Sequence, residues 1–288
     1  MVHELTHALQ DQHFDLKRFE KWPKGDSDRE LAIHALIEGD ATAVMMEYLL
    51  KQMGSGITRL PQSALDKLSS QMNGGSGMKE FDNAPRCIRE SLVFPYLAGL
   101  KFVAEILRND GWKGVSAAYK TLPQSTEQIL HYGKFLKQEM PVKVSIADLL
   151  PQLGKNWKLL EKNISGEYFY YLALSEFIDK ETARVAAEGW GGDQAAVYEN
   201  PANGDIVLSH VSVWDSEADA REFFAAYAAR TGAMYKSAEV KETGPDARTY
   251  SYDGKLIYME RRGSEVIVLE GIRSAGKLVE RLWTSRIG

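Results

Sequence analysis

Two histidines near the start of the sequence are spaced so that both could bind one metal ion. They belong to His3-Glu4-Leu5-Thr6-His7, the pattern HExxH, in a stretch that predicts an amphipathic helix. Residues four apart lie one turn apart on the same helix face, so both imidazoles can reach one ion. Glu4 stands beside them, where its carboxylate can take a proton from a water at that ion. The motif predicts a hydrolytic zinc site; the competing interpretation is a solvated helix face with ordinary histidines.

A catalytic zinc ion usually takes three protein ligands, so this motif needs a third side chain. Glu38 is the stronger candidate, because it falls on the apolar face of a second predicted helix, where an unpaired carboxylate is costly. His13 is the alternative, since it stands at the last position of the pattern HExxHxxGxxH. Gln10 replaces the glycine of that pattern, and a helix that continues through Gln10 carries His13 out of reach. The other explanation of a carboxylate on this buried face is an ion pair between Glu38 and an arginine such as Arg86 or Arg89.

Other polar residues are weaker candidates for the same site. His131 could donate a hydrogen bond to the oxyanion of a tetrahedral intermediate, although a histidine at a helix end is often a cap. His34 and Asp40 stand close enough to Glu38 in sequence to orient a zinc ligand by hydrogen bonding. Tyr48 and Tyr132 carry hydroxyl groups, but core packing is the expected role of both.

The elements that must position these residues are mainly helices in the first half of the chain. Residues 3–19 predict one helix, which the segment 22–26 ends, and residues 28–53 predict a more apolar, buried helix. Gly39 inside that second helix costs roughly 1 kcal/mol relative to alanine, which predicts a close approach by the first helix. The glycines of residues 74–77 predict a surface loop and not a phosphate-binding turn. Further helices are predicted over 88–109, 114–121 and 125–132.

Strand periodicity replaces helical periodicity after Gly189-Trp190-Gly191. Asp253-Gly254 predicts a type I′ hairpin turn. We expect an α+β fold with a mainly helical domain over residues 1–165 and an α+β domain of unknown role over 166–288, its antiparallel sheet covered by helices on one face. The predicted strands are 195–198, 205–214, 247–252, 256–261 and 265–270, and the accompanying helices lie within 167–187, 216–230 and 275–284.

Composition limits the classes of partner. The 288 residues are 44% hydrophobic and 26% charged, which is typical of a globular protein, and the net charge is −5. This charge lacks the basic excess that nucleic-acid binding needs. The single cysteine, Cys87, cannot form an intrachain disulfide, and we expect it to be buried as a small apolar residue. No segment approaches the roughly 20 apolar residues of a membrane-spanning helix.

An HExxH helix followed by a glutamate on the next helix resembles the gluzincin group of zinc metallopeptidases. That resemblance covers about the first fifty residues. The longer string of residues 3–12 is similar to uncharacterised bacterial predicted neutral zinc metallopeptidases, as are residues 38–41, 125–131 and 189–193. The resemblance implies a Zn2+ ion bound by His3, His7 and Glu38, Glu4 as general base, and a peptide or protein substrate.

One feature departs from the gluzincin pattern. Gluzincins place a β-sheet before the HExxH helix, whereas only Met1 and Val2 precede the motif here. Either the chain is a fragment of a longer protein, or its start is misassigned, or this protein has lost the region. We expect an N-terminally truncated chain whose zinc site is weakly held or empty, because His3 stands in a first helical turn. Any signal peptide would be missing with that region, so the compartment stays open. The sequence favours a zinc metallopeptidase, a hydrolase; the alternative is an inactive scaffold or binding module that retains the motif.

Overall fold

The structure is a computed structural model that describes residues 1–19, 24–61, 63–65, 67, 79–242 and 244–288. The predicted loop at 74–77, and residues 22 and 23 of the predicted helix break, lie outside the described residues. The chain divides into two compact units, and the fold is α+β as predicted. The helical unit comprises Met1–Pro23 and Asp28–Glu139, and the sheet unit comprises Lys24–Ser27 and Met140–Gly288. The domain boundary expected after residue 165 falls inside the sheet unit.

The helical unit contains the predicted helices with small differences in their ends. Short 3-10 turns follow the first two helices at Leu16–Phe19 and Ile57–Arg59. Gly111, with φ +62°, interrupts the long fourth helix close to the break that the sequence predicts. Cys87 lies in the first turn of that helix and is exposed, so the prediction that it is buried is wrong. The helices are α1 (Val2–Phe14), α2 (Ser27–Gln52), α3 (Lys79–Asn83), α4 (Arg86–Ala118), α5 (Thr126–Leu130) and α6 (Tyr132–Leu136).

A pair of glycines brings α2 and α4 into backbone contact. A Cβ atom added at Gly39 would lie 2.2 Å from the carbonyl carbon of Gly99, and one added at Gly99 would lie 2.0 Å from the Ala35 oxygen. Such distances exclude any side chain at either position. The close approach predicted at Gly39 therefore exists, but the nearest atoms belong to α4 and not to the first helix. Because Glu38 directly precedes Gly39, this crossing places Glu38 close to α4.

The sheet unit is built on a seven-stranded antiparallel sheet in the order β2-β3-β4-β8-β7-β6-β5. Asp253 and Gly254 have φ of 45° and 70°, as the predicted type I′ turn requires. A second, two-stranded sheet pairs β1 with β9. Its strands are β1 (Val144–Ser145), β2 (Lys158–Asn163), β3 (Trp190–Asn200), β4 (Asp205–Trp214), β5 (Glu239–Glu242), β6 (Ala247–Tyr252), β7 (Lys255–Arg262), β8 (Glu265–Ile272) and β9 (Arg286–Ile287). Its helices are α7 (Leu150–Leu153), α8 (Gly166–Ser175), α9 (Lys180–Ala187), α10 (Glu217–Met234) and α11 (Gly276–Leu282).

Both faces of the large sheet are buried, which corrects the expectation of one covered face. Residues of α8, α9 and α10 pack on one face, where Tyr170 and Phe223 contact Trp214. Residues of α11, including Leu278 and Leu282, pack on the other face. Residues 266–269 of β8 are all fully buried. A strand that is buried on both sides has a continuous apolar run in place of alternation, and Val266-Ile267-Val268-Leu269 is such a run.

The segment Gly189–Asp193 holds α8 against the sheet. Asp193 is buried and accepts hydrogen bonds from the indole of Trp190 (3.0 Å) and from the backbone N–H groups of Ser165 and Gly166 at the start of α8. Burial raises the pKa of Asp193 to about 6 despite these hydrogen bonds. A Cβ atom at Gly192 would lie 2.2 Å from the Val142 oxygen. These contacts give this segment a structural role.

Across the part of the chain that the structure describes, no helix is both long and apolar enough to cross a membrane.

Candidate metal centre

The helices α1 and α2 bring three potential metal ligands together at one point. Nε2 of His3 and Nε2 of His7 lie 3.0 Å apart. Oε2 of Glu38 lies 3.1 Å from the first nitrogen and 3.3 Å from the second. Within the described residues of the helical unit, these side chains form the group of three ligand atoms that could hold one metal ion. One helical turn supplies the two histidines, and the neighbouring helix supplies the carboxylate.

The spacing of the three atoms fits a tetrahedral zinc ion. Ligand atoms about 2.0 to 2.1 Å from such an ion lie about 3.3 to 3.4 Å from one another. The observed separations of 3.0 to 3.3 Å are only slightly shorter. Two imidazoles and one carboxylate also match a donor set common in catalytic zinc sites. The cluster therefore has suitable donor types and separations before any ion is considered.

The cluster is accessible from solvent. The side chains of His3, His7 and Glu38 retain 16, 23 and 24% of their exposure. Glu4 follows His3 on α1 and is exposed. A water molecule can therefore approach the cluster.

A chain of hydrogen bonds behind the cluster fixes the orientation of His7. Nδ1 of His7 lies 2.7 Å from Oε1 of Gln10, while Nε2 of Gln10 donates to the Ile37 carbonyl (3.0 Å) and to Asp40 (2.8 Å). One end of the Gln10 amide faces two acceptors and must be the nitrogen, so the end that faces His7 is the oxygen. An oxygen only accepts, so Nδ1 of His7 carries a proton, and in the neutral imidazole Nε2 keeps its lone pair for a metal ion. Asp40 also accepts a hydrogen bond from the Tyr119 hydroxyl (2.9 Å).

Asp40 is thus connected to the candidate ligands through Gln10 rather than directly. It is 6% exposed, and burial raises its pKa, against the opposing effects of the hydrogen bonds from Gln10 and Tyr119 and of the His7 charge. The sequence singled out Asp40 as a residue that could orient a ligand by hydrogen bonding. Its contacts agree with such an indirect role.

Sequence reasoning missed Tyr96 of α4. Its ring stacks on the His3 ring with centroids 5.9 Å apart. Burial raises the pKa of Tyr96, and the negative charges of Glu38 and Glu4 raise it further. Tyr96 stands three residues before Gly99, so the two share a face of α4. The sequence signal that could have placed Tyr96 beside Glu38 is the pair of glycines, Gly39 and Gly99, inside two predicted helices.

The other sequence candidates lie elsewhere in the helical unit. The helix α1 continues through Gln10 to Phe14, and His13 is exposed near its end, outside the group formed by the three ligand atoms. His131 caps the C-terminus of α5, with its backbone N–H bonded to the Glu127 carbonyl. Tyr48 is 53% exposed, so the prediction that it packs in the core is wrong. The Tyr132 ring lies 6.0 Å from the Phe102 ring.

Residues 125–128 also hold the start of α2. The backbone N–H and the hydroxyl of Thr126 donate to the buried Asp28 carboxylate in the first turn of α2. Ser125 caps α5 by accepting from the Gln128 N–H. The segment that precedes His131 therefore has a structural role.

Comparison with known proteins gives one match. Residues 158–280, less than half of the chain, match the family model described as a domain of unknown function, DUF8575. This match lies within the sheet unit. No curated protein and no solved structure matches the chain.

Proposed function

We propose that the helical unit is a gluzincin-like zinc metallopeptidase that hydrolyses peptide bonds. The observation that carries the proposal is the triangle of His3 Nε2, His7 Nε2 and Glu38 Oε2, whose edges measure 3.0 to 3.3 Å. These three side chains are the ones that the resemblance to zinc metallopeptidases assigns as ligands. The orientation of His7 by Gln10 supports the same assignment, because it directs a nitrogen lone pair toward the cluster.

Each nearby side chain has a defined part in this proposal. When bound, zinc supplies a Lewis acid that polarises the amide carbonyl and lowers the pKa of the attacking water. Glu4 accepts the proton of that water and passes it to the leaving amine. Tyr96 supports the His3 ring by stacking on it, and its raised pKa keeps its hydroxyl protonated. His131 stays a candidate donor to the oxyanion, as the sequence suggests.

The substitution Glu4→Gln tests the proposed chemistry. Glutamine keeps the shape of the side chain but accepts no proton, so we expect zinc content to be unchanged and hydrolysis to fall by about 10²-fold or more. The measurement is cleavage of an unstructured protein such as casein, beside elemental analysis of the purified chain. Glu80→Gln, a change at an exposed glutamate of α3, is the matched control and leaves both quantities unchanged.

Two results would contradict the proposal. A variant that retains more than about a tenth of the original rate removes Glu4 as the general base, given the effect expected of that role. A purified chain that holds no zinc and cleaves nothing favours the alternative class, an inactive scaffold or binding module that retains the motif.

A further inference from the structure

A cavity of about 440 Å3 lies within the sheet unit, between one face of the large sheet and the helices α8 and α10. This volume falls in the range of small-molecule sites. The cavity lies far along the sequence from the HExxH motif, and all of its lining residues except Ser27 fall within 158–280. Most of the lining is apolar and comes from Ile164, Phe169, Ala173, Ala195, Val197 and Leu208.

One wall of the cavity carries a buried histidine with an unused ring nitrogen. His210 lies on the central strand β4, opposite Ala195 on β3 and Val268 on β8, and is only 4% exposed. Its Nδ1 lies 3.5 Å from the Tyr170 hydroxyl, and its Nε2 has no hydrogen-bond partner among the described residues. Leaving a buried polar atom unsatisfied costs about 1–3 kcal/mol. A group bound in the cavity could supply the missing partner.

The helix α10, on the other side of the cavity from β4, carries an arginine whose charge is already compensated. Arg230 donates to the Glu270 carboxylate at 2.8 Å, both side chains are 13% exposed, and Tyr227 donates to the same carboxylate oxygen. Nε of Arg230 is buried and has no partner within the described part of the chain. This arginine therefore offers an N–H donor without an unpaired positive charge. Burial, helped by the Arg230 charge, lowers the pKa of His210 to about 3, so the imidazole is also neutral.

We propose that this cavity binds a small uncharged amphipathic molecule, whose apolar body packs on the lining residues and whose hydroxyl or amide head hydrogen bonds to His210 and Arg230. A neutral head suits these two groups because neither carries a free charge. A carboxylate would be desolvated against a neutral imidazole and an arginine already paired with Glu270, which is costly. The inference concerns a second site and does not depend on the proposed metal centre.

Matched probes test the proposal on the intact chain: octan-1-ol, octanamide and octanoate, which share an apolar body and differ in the head. Binding is followed through the imidazole nitrogen signals in NMR spectra, with His210→Phe used to assign the His210 signals. We expect octan-1-ol and octanamide to saturate and to shift the His210 Nε2 signal, and octanoate to bind at least about tenfold more weakly. Octanoate binding as tightly as the neutral probes would overturn the assignment of a neutral head.

Two substitutions locate the binding in this cavity. Ala173→Leu on α8 fills part of it and should weaken the neutral probes by about tenfold, whereas Ala225→Leu, an exposed position of α10, should leave them unchanged. Phe169→Ala removes a lining side chain that is 52% exposed, so it can weaken binding without opening the core. Circular dichroism checks that each variant folds. Unchanged binding in Phe169→Ala and in a folded Ala173→Leu, or no saturable binding at all, would overturn the proposal.

Discussion

Gln10 connects the imidazole of His7 to the buried carboxylate of Asp40, and this connection decides which nitrogen of His7 is free. Partners of this kind hold a metal-binding histidine in one tautomer and one orientation. Gln10 occupies the glycine position of the pattern HExxHxxGxxH. The residue that argues against His13 as a ligand therefore has a contact that orients His7. The residue that continues the helix also positions a proposed ligand.

Replacing Gln10 with methionine should therefore weaken zinc binding while leaving all three ligands in place. Methionine is similar in length, but its sulfur is only a weak acceptor for Nδ1 of His7 and it offers no donor to Asp40, so we expect the dissociation constant to rise about 10- to 100-fold. A competing chelator measures it. Gln12→Met, at an exposed position of the same helix, is the control and should bind zinc as the unchanged chain does. Equal dissociation constants for both variants would show that the Gln10 contact has no bearing on the site.

At the scale of residues, the sequence predicts those contacts that follow from spacing within one helix or from burial. The i, i+4 spacing of His3 and His7 sets their proximity, and the burial expected around Glu38 directs it to the same cluster. Tyr96 stands 58 residues beyond Glu38 in the sequence. No periodicity relates positions on different helices, so its contact with Glu38 depends on a helix crossing that the sequence does not specify.

The crossing of α2 and α4 is the element-scale feature that places Glu38 and Tyr96 together. Gly39 and Gly99 let the two backbones touch, and the ligand and the tyrosine lie within one turn of that contact. A glycine inside a helix costs roughly 1 kcal/mol relative to alanine. The close packing of the two helices must therefore offset this cost at both Gly39 and Gly99. The geometry of the candidate metal centre thus depends on helix packing as well as on the motif.

Gly39→Ala should disturb both stability and metal binding. The added methyl group meets backbone atoms that cannot rotate away, so we expect the free energy of unfolding to fall by about 1–3 kcal/mol and zinc affinity to fall with it. Chemical denaturation measures the first quantity and chelator competition the second. Gly133→Ala in α6 meets no atom within 4 Å and should change neither quantity adversely. If Gly39→Ala behaves like Gly133→Ala, the helix crossing does not position the site.

Among elements, helices and central strands are predictable because burial imposes a regular pattern on them. The edge strands β2 and β5 were missed for the opposite reason. Lys158–Asn163 has no fully buried residue, and all of Glu239–Glu242 is exposed. Exposed, charged edges carry no alternation, although charge there also protects an edge from pairing with another chain. Without a buried face, an edge strand needs no alternation of apolar and polar residues, so its sequence signal is weak.

At the scale of the whole molecule, the sheet unit buries two ionisable groups whose effects on stability oppose each other. The folded pKa of His210, about 3, is below its unfolded value of about 6.5, so stability is lost as pH falls through that window. The folded pKa of Asp193, about 6, is above the unfolded value of 3.8, so stability is gained as pH falls between about 6 and 4. Between pH 6 and 4, these two contributions largely cancel.

Removing His210 should expose the uncompensated effect of Asp193. We compare the unfolding free energy of His210→Phe with that of the unchanged chain. As pH falls below 6.5, the value for the variant minus the value for the unchanged chain should rise by about 1.4 kcal/mol per pH unit. Denaturation followed by tryptophan fluorescence at several pH values measures this difference. His13→Phe, a change at an exposed histidine, should give a difference that stays flat with pH. A flat difference for His210→Phe would mean that His210 titrates normally in the folded protein.

The central claim is that His3, His7 and Glu38 form one zinc site, and a zinc titration against a competing chelator tests it most directly. At saturating zinc, we expect the unchanged protein to bind one zinc ion per chain, weakly because His3 lies in the first turn of α1. Glu38→Ala should lose more affinity than the about 10- to 100-fold typical of losing an outer hydrogen-bond partner, because it removes a ligand. His13→Ala should bind zinc as the unchanged chain does. Equal losses in the two variants, a larger loss from His13→Ala, or no zinc bound by the unchanged chain even at saturating zinc would contradict the account.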